Sequence, residues 1–453
     1  DSQPWEWGRT GCRRGKAPPT SDGNFRFAPA EQALQNVSPL HNAARLTRTR
    51  PTVGITPSDT PCTARACSRP ADAVRYSQCR QPATWAARHF SLRDVLNAAD
   101  RSGVNSKRMS SVTLAIRRIE SLIRIDPAQR GLLAGGAASA LGLGELELAA
   151  RHLAANMRHV AIVTGFAIPT GAGFHTETDG PLGAIVLGSA LMRLGATVSF
   201  VTDSVNVAPL RTVARHALGT EANVLECPLD PRAAHSWRRK FLAELQQLTH
   251  LIAVERVGPS HTLDTMRAQN RNGPPPADEF QRIVPESGRG CCLNMRGESL
   301  DATTAPLHLL FEEAARLRPD LKTIGMCDGG NEIGIGRFAW ELVHPLVNGG
   351  HGPKIVCRTV TDWTILAGTS NWAAYALAAA VARIQLRVDV LRDWTQQRHE
   401  ELLELLVNEG PAVDGVTRLQ QPTVDGLPFI TYIQPWNGIR EALGLDSHGE
   451  PGT

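Results

Sequence analysis

The 453-residue chain reads as an α/β protein, a doubly wound and mostly parallel sheet with helices on both faces. Two observations predict this class. Short β-branched runs alternate with longer helical patterns, and the runs are apolar on both faces, as strands covered on each side by helices must be. With 42% hydrophobic and 20% charged residues, the chain can bury a sizeable core.

In chain order, Val112, Ile116, Ile119 and Ile123 recur at helical spacing and mark one buried helix face. Asp126-Pro127 then reads as a stop followed by a new helix start, with Asp as N-cap and Pro at the first helical position. Strands are predicted over 160–164, 197–202, 223–227, 251–255, 323–327 and 354–360. Between them fall helices over 181–194, closed by Gly195, a face made of Trp237, Phe241, Leu245 and Leu248, a helix over 306–317 closed by Pro319, and one over 371–384.

Residues 1–90 differ from the rest. They hold ten of the thirty prolines and thirteen Lys or Arg against six Asp or Glu, with no sustained apolar period, so a disordered extension is expected there and the α/β domain over 91–453. The prolines argue against an amphipathic transit helix, and a solvated tail is expected rather than nucleic-acid binding. The chain begins at Asp1 rather than Met. The net charge of +4 excludes a dedicated polyanion binder, and apolar stretches such as 181–194 are broken well before the roughly 20 residues of a membrane span. Nine cysteines lack zinc-site spacing, and the vicinal Cys291 and Cys292 read as two reduced thiols. A cytoplasmic protein is expected, or one of the mitochondrial matrix if the source is eukaryotic; a homo-oligomer is compatible with the sequence.

Ligands of doubly wound sheets bind beyond the carboxyl ends of the strands, so the polar clusters after each run are the candidate site. After 160–164, His175, Glu177 and Asp179 alternate; in extended backbone they point one way as metal ligands, although for Asp179 alone the favoured reading is a cap on the helix at Pro181. Glu177 has no such structural role, and its place beside a helix N-terminus favours the ionised form. After the fourth run come Glu255 and Arg256, either a surface ion pair or a site pair in which Arg256 captures a carboxylate. After the fifth, Asp328, Asn331 and Glu332 surround Gly329 and Gly330, offering hard oxygen ligands for Mg²⁺ or Mn²⁺ and backbone N–H donors. The GK[ST] ending of a phosphate-binding loop is absent. Ser370 and Asn371 open the last helix as caps or ligand contacts.

Together these loops resemble the C-terminal module of the D-glutamate cyclase family. The resemblance rests on ETDGPLGA at 177–184, HLIAVERVG at 250–258, NMRG at 294–297, CDGGNEIGIG at 327–336, AGTSNWAAYALA at 367–378 and VDGLPF at 424–429. It implies an α/β carbon–oxygen lyase that closes D-glutamate to 5-oxo-D-proline, with a small amino acid as its partner. The resemblance covers roughly residues 105–440 and not the hydro-lyase-like N-terminal half of the animal proteins, and the 260–292 segment looks longer.

Such a reaction needs the α-ammonium deprotonated and the γ-carboxylate neutralised. Glu177, Glu255, Asp328 and Glu332 are the expected catalytic acids. Glu177, Asp179, Asp328 and Glu332 are the expected ligands of Mn²⁺ or Mg²⁺, and Arg256, Gly329, Gly330, Asn331, Ser370 and Asn371 the expected substrate contacts. Two other readings of the same residues are a metal-dependent hydrolase of a lactam or small carboxylate, and a non-catalytic amino-acid-binding module.

Overall fold

A computed structural model describes residues 103–135, 140–219 and 222–446. The extension expected over 1–90 lies outside the described residues. Six parallel strands form the central sheet: β1 (His159–Thr164), β2 (Thr197–Asp203), β3 (Asn223–Cys227), β4 (Leu248–Val254), β5 (Lys322–Cys327) and β6 (Trp363–Leu366). Their spatial order is β3-β2-β1-β4-β5-β6, which reverses direction between β1 and β4. That crevice is the ligand-binding position of doubly wound sheets.

The longer helices are α1 (Gly103–Ile123), α2 (Glu145–Asn156), α3 (Pro181–Arg193), α4 (Val207–Leu218), α5 (Pro231–Glu244), α6 (His308–Leu317), α7 (Ser370–Ile384), α8 (Gln396–Asn408) and α9 (Gln434–Leu443). Strand residues alternate between two cores. Val160, Ile162, Ile252 and Ile324 pack with α1, α3 and α7, whereas Ala161, Val163, Leu251 and Ala253 pack with α5 and α6. Helix α7 is buried on every side through Ala373–Ala382, as a helix apolar all round must be.

Three expectations need correction. The segment 354–360 is not a strand: Gly352–Ile355 forms a short helix, and Cys357 and Val360 make only isolated bridges to other loops. The sixth strand is Trp363–Leu366, held in place because the Asp362 carboxylate accepts from the Thr323 N–H at 2.8 Å. Helix α5 ends at Glu244, so Leu248 opens β4 rather than completing a helical face. Asp126 starts no helix; its two carboxylate oxygens accept from the N–H groups of Arg130 and Gly131, both at 2.8 Å, and fold a tight turn.

Candidate active site

The loops after β1, β4 and β5 converge at the crevice with the N-terminus of α7. Behind β1, a hairpin pairing Ala167–Thr170 with Gly173–Thr176 leads into Glu177, whose backbone bridges to Val413. At the end of β4 the chain turns through Glu255 at φ 43°, a left-handed conformation that costs a non-glycine residue energy and clusters at functional sites. Among the described residues five non-glycines have positive φ. Four of them, Gln129, Glu255, Arg418 and Asp425, stand at this crevice.

Asp179, Glu255 and Asp328 are all buried, and one carboxylate oxygen from each lies within 4.8 Å of the others. Asp179 accepts from the backbone N–H groups of Ser370 at 2.8 Å and Asn371 at 2.9 Å. It therefore caps α7, not the helix that follows it in sequence. Asn371 returns the contact, its Oδ1 accepting from the N–H of Gly180 at 3.0 Å and of Gly183 at 2.6 Å, so the starts of α3 and α7 cap each other. Glu255 Oε2 lies 2.6 Å from Ser370 Oγ. Both oxygens of Asp328 are buried with no hydrogen-bond partner.

An adjoining pocket of about 260 Å³ is lined by Glu177, Glu255, Asn331, Arg130 and Arg296, among others. Burial pushes the carboxyls of Glu177, Glu255 and Asp328 well above their usual range. For Glu177 the next cause is Asp425, for Glu255 it is Glu332, and for Asp328 the Arg130 guanidinium opposes the rise. Burial, followed by Asp425, pushes Asp179 up to about 8. Crowded acids of this kind call for protons or a cation.

The donor set fits a hard divalent ion. Three carboxylates supply oxygen ligands, and Asp328 has two oxygens that the protein leaves unsatisfied. This set shares Asp179 and Asp328 with the one expected from sequence. Glu255 joins it, while the Glu332 carboxylate is occupied closing its own turn, accepting from the N–H groups of Gly329 and Gly330 at 2.8 Å each. Those two glycine donors are therefore engaged inside the loop rather than free for a substrate. Glu177 lies outside the set, on the pocket wall. His175 sits apart, with Nδ1 at 3.1 Å from the Pro411 carbonyl.

Arg256, expected to capture a carboxylate, has its guanidinium engaged by groups of the protein itself. Its side chain is 1% exposed and pairs with Asp203 at 2.6 Å, while it also donates to the carbonyls of Gly165 at 2.8 Å and Ala305 at 3.0 Å. Such a buried pair is hard to break, because either partner alone would be an uncompensated charge. Asn331 lines the pocket and donates its Nδ2 to the Leu293 carbonyl at 2.7 Å.

Sequence reasoning gave no role to Arg130, which lines the pocket and pairs with buried Asp425, or to Asn294, Arg296 and Arg418 on the same wall. Asn294, Arg296 and Asp425 fall within two stretches that carry the family resemblance, NMRG and VDGLPF, so a signal existed without a chemistry attached to it. Arg130 had none. Among the described residues no helix is long and apolar enough to cross a membrane, and Cys227, Cys291, Cys292, Cys327 and Cys357 are free thiols.

Comparison with known proteins bears on this site. The chain is 28% identical over 346 residues to the human protein D-glutamate cyclase, mitochondrial, in an alignment covering 70% of this chain and 50% of that protein. It spans about half the length of that relative. The family model described as D-glutamate cyclase-like, C-terminal, matches residues 119–287 and 282–435, which takes in all the acids of the crevice. The chain belongs to the D-glutamate cyclase-like C-terminal family.

Proposed function

We propose that this chain is a carbon–oxygen lyase that closes D-glutamate to 5-oxo-D-proline. The observation that carries the reading is the meeting of three buried carboxylates, one of them wholly unsatisfied, beside a pocket that holds a fourth acid, Glu177. Asp179, Glu255 and Asp328 would hold a divalent cation, Mn²⁺ or Mg²⁺, which when bound neutralises the γ-carboxylate and makes its carbon electrophilic.

Glu177 is the group left to move protons. Burial and Asp425 raise its pKa, which makes its ionised form a stronger base toward an ammonium. It takes a proton from the α-ammonium, the nitrogen attacks the carbon of the γ-carboxylate, and the C–N bond forms. The nitrogen then gives up a second proton, one γ-oxygen leaves with both protons as water, and Glu177 returns to its starting state. Attack within one molecule to form a five-membered ring needs orientation more than activation, and Asn331 on the pocket wall contributes to it. Ser370, hydrogen-bonded to Glu255, holds that carboxyl in place.

The same reading makes residues 91–453 the catalytic domain, with 1–90 an extension to it, in a reducing compartment such as the cytoplasm or mitochondrial matrix. Its test is incubation of the full chain with each glutamate enantiomer, with and without Mn²⁺, followed by mass spectrometry. Loss of one water from D-glutamate is expected. No product from either enantiomer with metal present would overturn the reading.

A further inference from the structure

Three arginines line the pocket, and two of them are engaged near its rim. Arg296 donates Nη2 to the Val416 carbonyl at 2.8 Å, and Arg418 pairs with Glu298, whose side chain is 47% exposed. Arg130 differs. Its side chain is 12% accessible, it forms part of the pocket wall, and it lies among Asp425, Asp328, Glu177 and Glu255.

The turn that carries Arg130 is fixed from both sides. Asp126 holds the Arg130 N–H at 2.8 Å, and the Asn348 N–H donates to the Arg130 carbonyl at 3.0 Å. The preceding Gln129 has φ 55°, and its carbonyl accepts from Asn348 Nδ2 at 2.6 Å. A guanidinium offers five N–H donors in a planar fork. Among the described residues Arg130 meets one acceptor, Asp425 Oδ1, and its Nε is left without any. A held but under-satisfied guanidinium on a pocket wall is suited to receive a planar anion.

Resting on the cyclase reading, we infer that Arg130 is the α-carboxylate subsite, which makes the pocket selective for amino acids that carry a second carboxylate. The γ-carboxylate faces the acid triad and the α-carboxylate faces Arg130, so the two ends of the substrate are told apart by opposite charge.

The test compares binding of 5-oxo-D-proline with binding of its neutral amide, 5-oxo-D-prolinamide, to the full chain by calorimetry. The wild type should prefer the acid by about 30-fold or more, the scale of a charge-assisted hydrogen bond. Arg130→Lys keeps the charge but loses the fork and should cut that preference to a few-fold. Arg130→Gln combined with Asp425→Asn, which removes both members of the ion pair together, should lose the preference for the acid. Circular dichroism melts identify any variant that fails to fold, in which case the wild-type preference and the Lys variant decide. A wild type that binds acid and amide alike, a wild type that binds neither, or folded variants that keep the preference would each overturn the subsite. Turnover of D-glutamate, measured separately, tests the cyclase reading. Turnover without acid preference removes the subsite alone, and acid preference without turnover removes the reaction alone.

Discussion

Asp328→Asn isolates the role of the acid triad, because the substitution keeps shape and removes charge. The oxygens of Asp179, Glu255 and Asp328 lie within 4.8 Å of one another, and at that distance two full charges repel by about 3.5 kcal/mol at an effective dielectric of about 20. Three such pairs would cost about 10 kcal/mol, comparable with the whole stability of a domain, so without a cation the triad must keep protons. Asp328 has no hydrogen bond to lose, and its removal from the triad relieves two of the three repulsions. Thermal melting in EDTA should therefore be unchanged or slightly raised. Turnover should fall by about 100-fold or more, the scale of losing an electrostatic stabiliser, and calorimetric titration should show weaker Mn²⁺ binding. Wild-type turnover together with wild-type Mn²⁺ affinity would refute the argument and leave the Asp328 loop as a structural turn.

The raised acids also set a pH dependence. A carboxyl whose pKa is higher folded than unfolded binds its proton more tightly in the native state, so stability is greatest below the unfolded value and declines as pH rises through the folded one. With Asp179 moved from 3.8 to about 8, EDTA-treated protein should melt at progressively lower temperature as pH rises from about 4 to 8, and Mn²⁺ should flatten the slope; a flat metal-free profile would count against proton storage in the triad. At Gly415 an added Cβ would fall 1.6 Å from Glu177 Oε1, so Gly415→Ala should displace the proton-moving acid and lower kcat by about 100-fold while cooperative unfolding persists. Unchanged kcat would remove Glu177 from the mechanism. A chain starting at residue 91 should unfold cooperatively and turn over substrate as the full chain does, measured by calorimetry and product formation, and loss of either would make the extension part of the domain.

Five of the six strands and most of the long helices were legible because their signal is local. Apolar runs such as 160–164 and 323–327, and the stops at Gly195 and Pro319, are written within a few residues of the elements they define. The sixth strand was not. Residues 354–360 and 363–366 are both apolar enough, and the choice was made by Asp362 reaching Thr323 on the neighbouring strand, a contact some forty residues away in the chain.

For the site, the gathering of acids was legible in the chain, since strand ends in a doubly wound sheet face one crevice, with Glu255 and Asp328 directly after β4 and β5 and Asp179 after β1 across a hairpin. What each polar group does there depends on the fold. Arg256 was paired with Asp203, Glu332 turned back onto its own loop, Asp179 capped α7 instead of α3, and Arg130 was brought to the pocket from a turn with no motif. The physical reason is that hydrogen bonds and ion pairs are settled by which partners burial brings within about 3 Å, and those partners lie far apart in sequence.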